Sequence, residues 1–468
     1  MMLTEFLQLM KAELSLTVLI FFFLFIKIGR GMRNEILLPL AQTLLLLNFI
    51  AGFFFNLEGQ LFGTMYLTTP LIVLQKNLLN LGVYLLSLVC SGWLRRTPHL
   101  PEFLLLMLSA LLGMFLLLSA GNLLLFYLAL ELASIPVAAM ANFDLDRKRA
   151  SEGAMKLILS SAFSSGILLF GISLLYGATG TIDLAVLAGQ WDGSPLHVLA
   201  FLFLFAAFAF KLSIVPFHFW TADVYEGSPV AVTSFLSVIS KGAIAFAFLS
   251  FLYRVFPSAA TLWYLVLVLT AVCTLVIGNL FAMRQSNMKR FLAFSSIAQV
   301  GFILVAISGQ TTEGTRSVVY FLLVYLFSNL AAFGVVDAIA QQTGREKISD
   351  YRGLYATNPF LSWVLTLSLF SLAGIPPTAG FFGKLFLLTA GSVKGNFPFI
   401  LFAALNMVLS LYYYLRVVRS VFMEKNEDPI EPVKLSSPVR LGLLVCCTGI
   451  LAGGLLGWLY DYIISITG

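Results

Sequence analysis

The chain contains 468 residues, of which 60% are hydrophobic and only 11% are charged. Its mean hydropathy is +0.96, and a soluble protein of this length needs far more charge on its surface. The net charge of +6 is distributed over short segments, so no basic domain indicates nucleic-acid binding. The composition therefore excludes a soluble enzyme and predicts an all-α, polytopic membrane protein.

Apolar runs that are long enough to cross a bilayer as helices recur from one end of the chain to the other. They predict about 14 spans, at roughly 14–28, 35–55, 70–92, 101–119, 121–141, 153–176, 196–220, 228–253, 260–282, 288–308, 316–340, 359–390, 396–416 and 438–460. Glu5 and Glu13 stand where a cleaved signal would carry basic residues, so the first run is predicted to be a retained span.

Basic residues alternate between the two sides of the predicted membrane. The loops that follow odd-numbered spans carry most of the 28 Lys and Arg residues, whereas the N-terminus and the loops after even-numbered spans carry few. Because basic loops are retained in the cytoplasm, this alternation predicts cytoplasmic odd-numbered loops and two termini on the outer side.

Helix breakers interrupt the seventh and twelfth predicted spans, each time beside a lysine. Pro216 follows Lys211; it lacks a backbone donor and clashes with the carbonyl four residues earlier. Two prolines and three glycines lie between 374 and 383, immediately before Lys384, and cannot form an uninterrupted helix. Unpaired backbone at membrane depth is tolerated only where it contacts protein or water, so each break predicts a polar, hydrated pocket.

The two breaks lie five spans apart. Because five is odd, the second copy crosses the membrane in the opposite direction, as in the inverted repeats of secondary transporters. The predicted organisation is three N-terminal helices in 1–100, a first five-helix repeat in 101–254, a second, inverted repeat in 255–420, and a C-terminal loop with helix 14 in 421–468.

Four ionisable residues lie deep inside apolar runs, where a charge costs ~2.5–3.5 kcal/mol at the bilayer centre. Glu131, Lys211, Lys241 and Lys384 are therefore the candidate residues of an ion or proton path. The alternative for Glu131 is a structural ion pair. The alternative for Lys384 is a side chain that snorkels to the interface.

Two further residues are secondary candidates for proton transfer. Lys156 lies one turn into the sixth span, where snorkelling explains it equally well. A lone histidine such as His218 is more often a structural residue than a relay. Lys76 is interpreted as a snorkelling lysine near the outer end of its span.

Two other features have both a functional and an ordinary interpretation. Asp223 and Glu226 are expected in a cytoplasmic loop without basic residues, as an acidic inlet or as a plain solvated loop. The repeat Tyr412, Tyr413 and Tyr414 is assigned to the aromatic belt at the cytoplasmic interface.

Burial and a neighbouring carboxylate change the pKa of a lysine in opposite directions. A row of such groups can therefore be protonated and deprotonated by moving one charge. Glu131 and Lys211 form the expected switching pair. Lys241 is then the central store, and Lys384 the exit towards a second half-channel or a neighbouring subunit. This order is a hypothesis.

Residues that could hold a metal or a redox group are few and scattered. No C-x-x-C occurs, and adjacent Cys446 and Cys447 cannot form an ordinary structural disulfide or an iron–sulfur motif. The three histidines are too far apart for a haem or metal cage. We therefore expect no cofactor and no metal in this chain.

Five long strings carry a family resemblance. They are LELASIP at 130–136, LYGATG at 175–180, PFHFWTADVYEGSP at 216–229, NMKRFLAFSSIAQVG at 287–301 and LAGIPPTAGFFGK at 372–384. On these strings the chain resembles the subunit N family, antiporter-like proton-channel subunits of the proton-pumping NADH–quinone oxidoreductases (respiratory complex I).

The resemblance implies fourteen helices with two inverted five-helix repeats, and Glu131, Lys211, Lys241 and Lys384 match the family's proton-path positions. It also implies a subunit without its own cofactors, with FMN, iron–sulfur clusters and quinone on partner subunits. The implied partners are other membrane subunits, including related antiporter-like subunits, together with the lipid bilayer and protons. The implied location is the bacterial inner (plasma) membrane, with both termini periplasmic.

The chain departs from the family pattern at three positions. Ala222 and Ala231 stand where proline is frequent. Gln299 stands where histidine is common, so a relay through the tenth span is expected to differ or to be absent.

The expected function is a proton-translocating membrane-arm subunit coupled to quinone reduction on partner subunits. Two alternatives stay open: a subunit of a multisubunit cation/proton antiporter, which shares this fold, and a non-transporting scaffold. The string VYEGSP at 224–229 favours the first function. A scaffold would leave the charges buried beside two helix breaks without an explanation.

Overall fold

The computed structural model describes residues 3–29, 31–54, 56–145 and 147–467. Nearly all of its regular structure is helical, apart from one antiparallel hairpin of β1 (Gly59–Leu61) and β2 (Tyr66–Thr68), in which Gln60 pairs with Leu67. The prediction of an all-α, polytopic membrane protein is confirmed. The predicted end of the second span, at 55, lies outside the described residues.

The helices follow one another along the chain with short connections. They are α1 (Leu3–Leu9), α2 (Lys11–Ile28), α3 (Asn34–Ala51), α4 (Pro70–Val89), α5 (Ser91–Arg96), α6 (Leu100–Leu118), α7 (Leu123–Ala141), α8 (Lys148–Thr179), α9 (Leu184–Leu187), α10 (Pro195–Leu212), α11 (Phe219–Gly227), α12 (Val230–Ser234), α13 (Lys241–Val255), α14 (Ala260–Arg284), α15 (Met288–Ser308), α16 (Thr312–Thr343), α17 (Leu354–Thr357), α18 (Pro359–Ala373), α19 (Ala379–Ser392), α20 (Phe397–Met423), α21 (Ser437–Leu455) and α22 (Trp458–Thr467). A π-helical turn, Phe235–Ser240, joins α12 to α13.

Within the described residues, twelve helical segments are long and apolar enough to cross a membrane. The helices α18 and α19 are apolar but shorter, and α2 carries charged residues at both ends. The predicted number of crossings, fourteen, remains a prediction. The last predicted span is interrupted, because α21 ends at Leu455 and a separate helix begins at Trp458.

Local sequence signals explain where many helices begin. Thr69 precedes α4, and its side chain accepts a hydrogen bond from the Ile72 N–H, while Pro70 occupies the first helical position, where its missing N–H has no cost. Asn122 caps α7 in the same manner, by accepting from the Leu125 N–H. These caps satisfy donors that have no partner inside the helix.

The centre of the molecule is formed by three helical segments. The most apolar stretch of α15 is buried along its whole length, and α16 and the continuous segment α12–α13 are almost as completely buried. In contrast, α3, α8, α20 and α21 bury only about a third of their most apolar stretch or less and expose apolar side chains, as expected of helices that face lipid.

Both predicted helix breaks are present. The first lies between α10, which ends at Leu212, and α11, which begins at Phe219. The second lies between α18, which ends at Ala373, and α19, which begins at Ala379. The helices therefore stop close to the proline and glycine residues that predicted the breaks.

The two breaks have the same backbone geometry. Ser213 and Gly374 adopt left-handed φ values of 63° and 86° directly after α10 and α18. The next residue is isoleucine in both cases. The N–H groups of Ile214 and Ile375 donate to the carbonyls five residues earlier, at 2.8 and 3.0 Å.

A second arrangement also occurs twice. Asn122, the cap of α7, forms an isolated backbone bridge with Asp183, in the segment after α8. Asn287, the cap of α15, forms the same bridge with Lys347, in the segment after α16. The helices α8 and α16 are both 32 residues long, so each bridge ties the segment after a long helix to the start of the helix before it.

Candidate functional site

Lys211 lies in the last turn of α10, immediately before the first break. Its ammonium donates to Ser134 Oγ at 2.8 Å and to Ser161 Oγ at 2.7 Å. Glu131, one turn before Ser134 on α7, accepts a hydrogen bond from Ser165 and is near enough to interact electrostatically with Lys211. Serine hydroxyls are thus the direct partners of both members of the predicted switching pair.

Side chains satisfy backbone groups that the first break sets free. The indole Nε1 of Trp220 donates to the Phe210 carbonyl at 3.0 Å. The Val215 N–H donates to Thr274 Oγ1 at 3.1 Å. This pairing explains how an interrupted helix is tolerated at this depth, since an unpaired buried backbone group is unfavourable.

Lys241 is the first residue of α13 and directly follows the π-helical turn. It is almost fully buried, and its ammonium donates to Ser296 Oγ on α15 at 2.8 Å. The ammonium also lies 5.4 Å from the centre of the Tyr225 ring, within the range of a cation–π contact. A π-helical turn is rare and often marks a functional position.

His218 lies in the first break, directly before α11, and is buried. Its Nδ1 has no hydrogen-bond partner in the described part of the chain, and the ring is near enough to Lys241 for electrostatic interaction. A cavity of about 890 Å³ is lined by His218 together with Asp223, Arg284 and Arg290. The histidine and three charged side chains therefore share one open space.

Lys384 lies on α19 and is fully buried. Its ammonium donates to the Ala373 carbonyl at 3.2 Å, one of the carbonyls that the second break leaves without a helical partner. It also lies 4.8 Å from the centre of the Phe302 ring. The snorkelling alternative for Lys384 is therefore wrong, because the side chain turns towards the break inside the protein.

Gln299 connects α15 to the second break. Its Nε2 donates to the Leu372 carbonyl at 2.9 Å and to Tyr414 Oη at 3.1 Å. Tyr414 is also hydrogen-bonded to Ser295, which is adjacent to the Ser296 that contacts Lys241. A polar connection at this position therefore exists, built on an amide where the family commonly has histidine.

The aromatic-belt prediction is wrong for two of the three tyrosines. Tyr413 and Tyr414 are fully buried, and Tyr413 Oη donates to Asn279 Oδ1 at 3.0 Å. Only Tyr412 is exposed. The three residues follow one another along a helix, so they point in different directions.

An ionic cluster surrounds α11. Lys156 is 43% exposed and pairs with Glu152 at 2.7 Å and with Asp223 at 2.6 Å. Arg290 pairs with Asp223 at 2.7 Å and with Glu226 at 2.9 Å. A plain solvated loop does not describe Asp223 and Glu226, because both acids lie on α11 and are paired. Partial burial by itself would raise the pKa of the Asp223 carboxyl. The hydrogen bonds from Lys156 and Arg290 outweigh this effect and hold the pKa below its usual value.

Four buried charges were not predicted as such. Lys76 does not snorkel, because it pairs with the buried Glu13 inside the protein. Lys289, at the start of the predicted span 288–308, is buried on the first turn of α15 and pairs with Glu346 at 3.1 Å. Asp337 is a buried acid on α16; its position inside the predicted span 316–340 was the signal that could have revealed it.

Metal ligands are not grouped anywhere within residues 3–29, 31–54, 56–145 and 147–467, where no three His, Cys, Asp or Glu side chains come together. The four cysteines are unpaired.

Residues 120–410 match the family model described as NADH:quinone oxidoreductase/Mrp antiporter, TM. The chain is 46% identical over 457 residues to NADH-quinone oxidoreductase subunit N of Phocaeicola vulgatus, a match that covers 97% of each protein. It is 40% identical to NAD(P)H-quinone oxidoreductase subunit 2 of Synechococcus elongatus, over 76% of this chain and 71% of that relative.

Solved structures give the same relationship. A chain of respiratory complex I from Thermus thermophilus with bound aureothin is 30% identical, has a TM-score of 0.81, and aligns over 96% of this chain and 98% of its own length. A chain of the Mrp complex from Dietzia sp. aligns over 99% of this chain and 100% of its own length with a TM-score of 0.83. Its identity is 21%, so this second match concerns the fold alone.

Proposed function

Because the chain belongs to the NADH:quinone oxidoreductase/Mrp antiporter family and, within it, to subunit N of the NADH–quinone oxidoreductases, we propose that it translocates protons across the bacterial inner membrane as a membrane-arm subunit of that enzyme. The protein is an antiporter-like, multi-pass membrane subunit.

One observation carries the proposal. Lys241 and Lys384 are buried and Lys211 is half-buried, yet within the described part of the chain none of the three has a carboxylate within 4 Å. Their ammonium groups contact serine hydroxyls or a freed carbonyl instead. A carboxylate in direct contact favours the charged form of a lysine, whereas these three lysines have no such contact and can release and accept protons.

The proposed route connects the buried ionisable residues described above. Protons reach His218 through the large cavity and pass to Lys241, while Glu131 determines whether Lys211 keeps its proton. From Lys241 the route continues along α15 to Lys384 at the second break. Hydroxyl groups can relay protons along such a route because each both donates and accepts hydrogen bonds. Lys384 then delivers protons to a second half-channel or to a neighbouring subunit.

Repeated geometry supports two half-channels of common origin. The left-handed residue followed by isoleucine recurs at both breaks, and the bridges of Asn122 and Asn287 recur beside the two 32-residue helices. We assign the first repeat to 101–254 and the second, inverted repeat to 255–420, with the two termini on the periplasmic side. Opposed repeats would open one half-channel to each side of the membrane.

Electron transfer belongs to partner subunits in this proposal. FMN, iron–sulfur clusters and quinone would be held there, and quinone reduction would drive the movement of protons through this chain. Other membrane subunits, including related antiporter-like ones, would extend the row of buried ionisable residues beyond this chain. The solved structures that resemble this chain come from multisubunit complexes, which supports this arrangement.

Lys241→Ala tests the proposal. The substitution removes the central titratable group, so we expect NADH-driven proton uptake in proteoliposomes to fall to the level seen with an uncoupler, while the complex still assembles. The matched control is Lys394→Ala, since Lys394 is an exposed lysine outside the route. Normal proton uptake by an assembled Lys241→Ala complex would refute the proposal.

The alternative, a subunit of a multisubunit cation/proton antiporter, is supported by the fold shared with the Mrp chain. Purification in mild detergent separates the two functions. Flavin and iron–sulfur subunits that copurify with quinone-reductase activity indicate the oxidoreductase. Membrane subunits alone, with sodium-dependent proton movement, indicate the antiporter.

A further inference from the structure

A second buried titratable cluster lies in the N-terminal helices, outside residues 120–410 of the family match. Lys76 on α4 and Glu13 on α2 form an ion pair of 2.6 Å, and both side chains are only 3% exposed. The hydroxyl of Tyr66 donates to Glu13 Oε2 at 2.9 Å and accepts from the Lys76 ammonium at 3.1 Å. The route described above does not use these three residues.

A partly open cavity of about 150 Å³ adjoins this pair, and Lys76, Asn77 and Asn80 are the polar side chains of its inner wall. Both asparagines are buried. In the described residues the Asn77 Nδ2 and the Asn80 Oδ1 have no hydrogen-bond partner. Leaving a buried donor and a buried acceptor unpaired is unfavourable. Water can accept from the first and donate to the second, and the cavity has room for several water molecules.

Residues of the surface and of the interior both line the cavity. Exposed Asn56 and half-buried Lys11 belong to its lining, as does buried Asn80. On its inner side, α4 packs against the helix that carries Lys241. A side-chain carbon of Leu79 lies 3.7 Å from where a Cβ of Gly242 would be, and Asn80 is the next residue.

We propose that Glu13 and Lys76, with the cavity beside them, form a second, water-filled proton-holding site that exchanges with the aqueous phase on the side of the N-terminus. The ligand of the site is a small group of water molecules together with the proton they carry. The inference rests on the proposed function for the supply of protons.

The pair can pass a proton without accumulating charge. A proton that arrives from cavity water on the Glu13 carboxylate gives a carboxylic acid, and the Lys76 ammonium then returns one proton to the water. The amine that remains takes the proton from Glu13 through the Tyr66 hydroxyl, which restores the ion pair. One proton enters and one leaves, so the pair ends as it began.

The ordinary alternative is a structural ion pair that fastens α2 to α4. A structural ion pair and a proton-holding site differ in whether proton transport is retained when both charges are removed together. A clamp can be replaced by uncharged side chains of similar size without loss of transport, as in other buried pairs. A proton-holding site cannot.

The double variant Glu13→Gln/Lys76→Met tests this in the whole complex, reconstituted in proteoliposomes. We expect assembly to be retained and NADH-driven proton uptake to fall severalfold. The matched control is Glu102→Gln, which breaks the exposed pair of Lys27 and Glu102 at the other end of α2 and should leave uptake unchanged.

Asn80→Leu is the second variant, for the case in which the double variant does not assemble. It replaces the amide that would hold water with apolar atoms and leaves the ion pair in place, so uptake should again fall. Wild-type uptake by either assembled variant, while Lys241→Ala abolishes it, would overturn the inference and leave the proposed function standing. Wild-type uptake by Lys241→Ala would overturn both.

Discussion

The buried lysines of this chain differ in the groups they contact. Lys76 and Lys289 contact carboxylates, those of Glu13 and Glu346. Lys241, in contrast, contacts a hydroxyl on another helix. Sequence position alone identified Lys211, Lys241 and Lys384, because each lies deep within an apolar run. It did not reveal the contacts, because Ser296 is 55 residues away from Lys241.

Asp223 leads to a prediction about pH. Its ion pairs with Lys156 and Arg290 hold the pKa of the carboxyl below its usual value, which is about 3.9 in an unfolded chain. A lowered folded-state pKa contributes stability above the unfolded value, and this stability is lost as the pH falls through the folded value. We therefore expect Asp223→Asn to lower the thermal midpoint of the purified protein near neutral pH.

The effect should shrink as the pH approaches and passes below about 3.9, because the native carboxyl is then protonated as well. Thermal unfolding followed over a pH series checks this. Asp461→Asn, on an exposed position of α22, serves as the control and should change the midpoint little at every pH. A difference that stays constant or grows towards acid pH would contradict the assignment.

At the scale of the element, the two breaks are the features that sequence located best. Pro216 and the group of two prolines and three glycines at 374–383 disfavour a continuous helix, so α10 and α18 were expected to end close to them. The π-helical turn before Lys241 could not be predicted, because Phe235–Ser240 contains only residues that an ordinary helix accepts. Within this turn, Ser237 Oγ accepts a hydrogen bond of 2.9 Å from Asn329 Nδ2. The two residues are distant in sequence, so no local pattern indicates this contact.

Gly374 supports a prediction at this scale. It adopts a φ of +86°, and a Cβ there would lie 3.2 Å from the Cδ of Lys384. Gly395 also has a positive φ, +73°, but no atom of the described residues lies within 4 Å of where its Cβ would be. The left-handed conformation costs an alanine about 1–2 kcal/mol at either position. Comparing the two alanine variants therefore separates this backbone cost from the effect of the contact with Lys384.

We expect Gly395→Ala to lower the thermal midpoint slightly and to leave proton uptake normal. Gly374→Ala should lower the midpoint further and reduce proton uptake, because Lys384 must shift. Thermal unfolding and uptake measurements on both variants check this. Equal behaviour of the two variants would show that the position of Lys384 is not coupled to the break.

For the molecule as a whole, the distribution of basic loops predicts its orientation. The segment at 424–436 should lie in the cytoplasm, and the segment at 189–194 should lie outside. Glu427 and Gln190 are exposed positions in these two segments. The native cysteines are buried or half-buried, which favours a low background for thiol labelling.

A membrane-impermeant thiol reagent should therefore label Glu427→Cys in inverted vesicles and Gln190→Cys in intact spheroplasts, and not the reverse. Each variant is the control for the other, and labelling after detergent treatment measures the total. If both cysteines react from the same side, the predicted number of crossings between them is wrong.

The sequence by itself determined the helical membrane fold, the positions of the two breaks and the candidate lysines. These follow from local properties, since hydropathy, proline and glycine act on the residues beside them. The tertiary structure decided what each buried charge contacts. Lys76 is paired with Glu13, 63 residues away, and Lys384 contacts a carbonyl that exists as a free acceptor only because α18 ends there. Such contacts depend on how helices pack, and no local pattern encodes that packing.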